Sequence, residues 1–103
     1  MEGAAQVPLN TCEQALQVLR LACDAAEKGN INAITDAATA ASLAVAAIVS
    51  AGANVRINIR SLGDRNKVRK KLNEQLAAIE VETRTYHQMI HDILASRADI
   101  RLL

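Results

Sequence analysis

Few residues in this chain carry the chemistry to act on another molecule, and Asp36 comes first. It is the one acid between Glu27 and Asp64, and no charged residue follows it before Arg56. Two amides, Asn54 and Asn58, close the same alanine-rich stretch. On a helix, eighteen residues make five full turns, so Asp36, Asn54 and Asn58 fall on one stripe. A polar stripe on an otherwise apolar helix needs partners or a ligand. A carboxylate there can accept two parallel N–H donors or move a proton. It can equally be a helix-start acid favoured by the macrodipole. Asn54 lies about 27 Å further along such a helix, so within one chain it does not reach the same small group as Asp36. The amides could line the second end of a long cleft, meet Asp36 of a symmetry mate, or fix helix register through hydrogen bonds.

Arg56 and Arg60 stand one helical turn apart. Arginine reads carboxylates bidentately, and the alternative is a solvated face. The denser run Lys67, Arg69, Lys70 and Lys71 reads as a solvated first turn despite its sign against the helix dipole. His87 and His91 have the i, i+4 spacing that suits a metal on one helix face. Glu80 shares that face, but so does Arg84, a fixed cation that opposes metal binding, and no metal is expected. Cys12 and Cys23 are about 16 Å apart along a helix axis, too far for a disulfide. They read as small buried residues or as free thiols of a reducing compartment. G-x-S-x-G, P-loop and C-x-x-C patterns are absent from the sequence, so those chemistries have no support.

The elements that must position these residues are helical. The 103 residues suffice for one small domain. Half are apolar, yet Tyr86 is the one aromatic, so the core is built from Ala, Leu, Ile and Val. Alanine in this quantity favours helix. A net charge of +1 and a lack of aromatic platforms argue against a nucleic-acid binder. Residues 1–10 have neither the basic start nor the apolar run of a secretory signal, and a cytoplasmic location is the expectation. The uncharged stretch 37–53 is mostly alanine and short of about 20 strongly apolar residues. It reads as a helix buried on most sides in a soluble bundle, with no membrane partner.

Residues 1–9 read as the frayed end of an earlier helix. Asn10 and Glu13 have capping-box spacing for a first helix over 11–28, with Leu16, Val18, Leu19 and Ala22 on its buried face. Gly29 is the stop. Asn30 or Asn32 caps a second helix over 31–61, with Leu43, Ala44, Ala47 and Ile48 filling its middle and Gly52 admitting a close neighbour. Residues 55–60 alternate with period two, a strand signal. No second strand exists to pair with them, so helix is the reading. Gly63 ends that element, and Asp64 caps a third helix over 64–96. There Leu72, Leu76, Ile79, Thr83, Tyr86, Ile90 and Ile93 form a heptad seam with one polar member. The tail 97–103 reads as loose. The fold class is all-α, an alanine-rich bundle of long antiparallel helices that dimerises. Apolar residues on several faces call for a second copy or a further partner segment. A non-enzymatic reading also stands, an inactive oligomerisation module that uses the 64–96 seam.

Several pieces in order carry a resemblance: VPL at residues 7–9, GN at 29–30, Asp36, the alanine-rich helix, and NVRINIRSL at 54–62 followed closely by Asp64. Over 7–62 the chain resembles the second half of the cyclodeaminase domain of formiminotransferase-cyclodeaminase and the related methenyltetrahydrofolate cyclohydrolases. The resemblance implies an all-α dimeric bundle acting on one-carbon units carried by tetrahydrofolate. Cyclodeaminases close 5-formimino-tetrahydrofolate to the 5,10-methenyl form and release ammonia, whereas cyclohydrolases open the methenyl ring with water. It implies that residues 1–103 form one helical domain equivalent to the C-terminal half of the family domain. That domain's first half carries a glycine-rich turn and a further acid, neither of which occurs here. It also implies a catalytic or pterin-binding Asp36, and a folate-binding role for Asn54, Asn58, Arg56 and Arg60. The partner it implies is a homodimer mate or the absent N-terminal half.

Overall fold

A computed structural model describes residues 2–63 and 66–103. It contains three helices, α1 (Glu2–Lys28), α2 (Ile34–Arg60) and α3 (Asn66–Ala98), with a single 3-10 turn, Ile31–Ala33, leading into α2. No strand occurs among the described residues. Residues 55–60 are helical, with Val55 and Ile59 buried on one face. The helices run up, down and up in a rod of 51 × 21 × 17 Å.

Packing follows side-chain size. The middle of α2 presents mostly small buried residues, Ala37, Ala38, Ala41, Ala44 and Ala51. Its neighbours supply large ones: Leu9 and Leu19 from α1, and Leu72, Leu76, Ile90 and Leu94 from α3, all less than 2 % exposed. Burying each of these leucines contributes about 1.5–3 kcal/mol. The seam on α3 is buried within the chain, with Ile79 6 % and Thr83 8 % exposed. The Thr83 hydroxyl donates to the Ile79 carbonyl at 2.7 Å, which removes the cost of its burial. This seam is therefore spent on α1 and α2 and is not a free surface for oligomerisation. Its last deeply buried member is Leu94, with Ile93 only half-buried. A straight helix drifts about 20° per heptad, which moves the buried line on by one residue.

Several expectations are corrected. α1 begins at Glu2, not near residue 11, and passes through Pro8. An interior proline costs about 3 kcal/mol, and the complete burial of Ala5 and Leu9 on either side holds the helix in line. Asn10 is consequently no cap; its side-chain oxygen accepts from Gln6 at 2.8 Å. Asn30 caps the 3-10 turn, accepting from the Asn32 N–H at 2.9 Å, and α2 starts four residues later. Gly52 does not admit a backbone: a Cβ there would meet Leu76 Cδ1 at 3.6 Å, an ordinary contact. Val18 and Leu43, expected inside, are 47 % and 67 % exposed. The proposed cap Asp64 lies outside the described residues.

The tail is tied down. Asp99 adopts a left-handed conformation (φ 54°), and the Ile100 N–H bonds to the Leu94 carbonyl at 3.1 Å. Ile100 and Leu102 then pack against the core. Arg97 donates to the carbonyls of Ala26 and Gly29 at the C-terminus of α1, where carbonyls lack helical partners and the dipole favours a cation. At the other turn, Gly63 takes a left-handed φ of 60° and its carbonyl accepts from Arg69 at 2.8 Å.

Ile79→Ala should destabilise the fold by about 2–5 kcal/mol; a denaturant titration showing less than about 0.5 kcal/mol would mean the seam is misplaced. Both cysteines are free and at most 1 % exposed, and burial pushes their thiols up. Their sulfurs lie against the Ile48 and Tyr86 carbonyls at 3.7 and 3.3 Å. Thiol labelling at pH 8 should therefore proceed only through unfolding, with two equivalents reacting once denaturant is added. Prompt labelling of either thiol in the native protein would contradict this packing.

Candidate functional site

The α1/α2 pair leaves an open groove on the side away from α3, and the polar stripe of α2 runs along it. At one end a shallow depression of about 430 Å³ is walled by Val18, Leu21 and Ala25 of α1, with Asn30, Asp36 and Ala40 opposite. Asp36 is the one charged residue of that lining. It is exposed in the first turn of α2, with no hydrogen bond to its side chain among the described residues. The helix-start dipole favours an anion there, and apolar walls strengthen a hydrogen bond that the carboxylate accepts from a ligand.

At the other end a second depression, about 500 Å³, lies between Val7, Pro8 and Thr11 of α1 and Ser50, Asn54 and Asn58 of α2. Asn58 is half-buried and donates through Nδ2 to the Asn54 carbonyl at 2.8 Å. The structure thus brings Asn54 and Asn58 together and keeps them apart from Asp36, by about 27 Å and 33 Å of helix rise. Ala40 and Ala47 are half-buried along the way.

The arginines lie elsewhere on α2. Arg56 bonds through Nη2 to Glu80 Oε1 of α3 at 2.5 Å, and Arg60 is exposed in the last turn. His87 and His91 approach through their Nε2 atoms at 3.3 Å. Among the described residues no group of three or more His, Cys, Asp or Glu is placed to hold a metal.

Sequence reasoning missed the α1 wall of the groove. Its signal was present in Val7, Val18 and Leu21, which follow a helical line off the leucine face and are 68 %, 47 % and 68 % exposed. Nor is α2 buried on most sides. The helical stretch Ile31–Arg60 is by length and composition long enough to cross a membrane, and only about a third of its most apolar eighteen residues is buried.

Comparison with known proteins converges on one family. The sequence profile of formiminotransferase-cyclodeaminase matches residues 1–78. A methenyltetrahydrofolate cyclohydrolase from Methylorubrum extorquens is 34% identical over 99 residues, covering 96% of this chain and 47% of that protein. The chain therefore spans about half the length of this curated relative. No solved structure gives a significant match.

Proposed function

The chain belongs to the formiminotransferase-cyclodeaminase family, and on that premise we propose that it serves folate-dependent one-carbon chemistry. The reaction is either ring closure of 5-formimino-tetrahydrofolate with loss of ammonia or hydrolytic opening of the 5,10-methenyl ring. The observation that carries this reading is the similarity to a cyclohydrolase along nearly the whole chain. A lone carboxylate in an apolar-walled groove supports it. The chain then corresponds to the C-terminal half of the family domain, and its assembly, as a homodimer or with a separate first half, belongs to the same proposal.

In this reading Asp36 receives the pterin. The amide-plus-amino edge of a pterin presents two parallel N–H donors, and the two carboxylate oxygens accept both. The flat ring face lies against Val18 and Leu21, the apolar wall beside Asp36. A carboxylate at this position can also take the proton of water attacking the methenyl carbon, or handle the proton that leaves with ammonia. Asn54, Asn58, Arg56 and Arg60 belong to the far end of α2. Arginines suit the glutamate carboxylates of a folate. About 36 Å of helix rise separates Asp36 from Arg60, so the two ends serve one folate only if they come from different chains. A cytoplasmic site of action fits this substrate.

The test is Asp36→Asn. It keeps the shape but replaces one acceptor with a donor, leaving one pterin N–H facing an N–H. An unsatisfied buried donor costs about 1–3 kcal/mol, and about 1.4 kcal/mol is a decade of affinity. Titration calorimetry with a reduced folate should show at least tenfold weaker binding, with an unchanged circular dichroism spectrum. Equal affinity in two folded proteins would return Asp36 to a helix-start role.

A further inference from the structure

The turn that joins α1 to α2 is the end wall of the depression beside Asp36. Gly29, Asn30 and Ala33 line it there, between Ala25 of α1 and Asp36 of α2. The turn is closed by its own main chain. The Gly29 N–H bonds to the Ala25 carbonyl at 2.8 Å, and the Ala33 N–H bonds to the Asn30 carbonyl at 2.9 Å. It has no slack, since a Cβ at Gly29 would come within 2.4 Å of the Ala25 carbonyl oxygen. The carbonyls of Ala26 and Gly29 stand at the end of α1, where helical partners run out, and Arg97 of α3 takes both. Its Nη1 donates to Ala26 at 2.5 Å and to Gly29 at 3.2 Å, and its Nη2 donates to Gly29 at 3.3 Å. A planar guanidinium spread over two carbonyls fixes direction as well as distance. Arg97 makes no ion pair among the described residues, so its hydrogen bonds there all go to this turn.

The tail behind Arg97 braces α2 from another side. The chain turns back at Asp99, and Ile100 and Leu102 wall a second depression, about 340 Å³, with Thr35, Thr39 and Leu43 of α2. Around the helix Asp36 is about 60° from Thr39 and about 40° from Ala40. Thr39 belongs to the tail-walled depression and Ala40 to the α1-walled one, so Asp36 stands on the ridge between them.

We infer that Arg97 is a positioning residue for Asp36. It holds the Gly29–Ala33 turn against the end of α1, and the turn sets where the first turn of α2 places Asp36 relative to Val18 and Leu21. Arg97, Ile100 and Leu102 all lie beyond the residues that the family profile matches, so this chain supplies the brace from outside that matched stretch. An effect on folate binding rests on the function proposed above; the positioning of the turn does not. The opposite end of the rod offers a control of the same chemistry, because Arg69 donates to the Gly63 carbonyl at 2.8 Å but borders neither depression beside Asp36.

Arg97→Ala and Arg69→Ala in the full chain test the inference, with circular dichroism as the folding control. Hydrogen exchange at the Gly29 and Ala33 amides should rise at least tenfold in Arg97→Ala, while the buried Thr83 amide stays within about twofold of the parent. Arg69→Ala should leave all three unchanged. Titration with a reduced folate should show at least fivefold weaker binding for Arg97→Ala and none of that loss for Arg69→Ala. Effects of independent sites multiply, whereas a residue acting through another adds little once that other is gone. The double variant Arg97→Ala with Asp36→Asn should therefore bind within about threefold of Asp36→Asn alone. If Arg97→Ala lowers helicity, Arg97→Lys, which keeps the cation but not the fork, carries the same comparison. Unchanged exchange at Gly29 and Ala33, equal folate losses in the Arg97 and Arg69 variants, or single effects that multiply in the double variant would overturn the positioning role. A parent that binds no reduced folate would remove the ligand reading alone, and the exchange comparison would still decide the role of Arg97.

Discussion

The structure depends on the packing of large residues from two helices against the small face of a third. Alanine gives α2 strong helical preference but little surface to bury. The leucines and isoleucines of α1 and α3 must supply the apolar volume, and they fit because α2 is thin where they meet it. Leu72, Leu76, Ile90 and Leu94 reach essentially complete burial on this account. With one aromatic in 103 residues, no other source of core volume exists.

The same thinness produces the candidate functional face. A helix of small residues covered on one side by α3 leaves its other flank as a groove against α1. The polar groups of α2 are set along that groove, a carboxylate at the N-terminal end and two amides at the other. Meanwhile Arg56 is engaged by Glu80 across the α2/α3 contact, so the cation nearest the amides faces a different neighbour. Fold and candidate site are in this way one consequence of where α2 places its alanines.

Much of this was legible in the sequence. The heptad of α3 and the helical reading of residues 55–60 came from periodicity and from the want of a second strand to pair with. The family was carried by short pieces in order, from VPL to NVRINIRSL. What sequence reasoning missed has physical causes. The Asn10–Glu13 spacing signalled a helix start, but that local signal gave way to the burial of Ala5 and Leu9. The tail looked loose because nothing local announces that Arg97 finds carbonyls at the end of α1, some seventy residues earlier in the chain. Alanine lies at the root of the remaining errors. It occupies core and surface alike, so it did not mark Val18 and Leu43 as exposed, and the line of Val7, Val18 and Leu21 that forms the α1 wall went unread.

We propose that the α1/α2 groove beside Asp36 is the folate-facing surface of this chain. Backbone amide resonances followed by NMR during titration with 5,10-methenyl-tetrahydrofolate test it most directly. Shifts are expected at Asn30, Asp36 and Ala40, and at Val18 and Leu21 across the groove, with the α3 residues around Glu80 unchanged. Shifts centred on the α2/α3 contact, or none at saturating ligand, would contradict it.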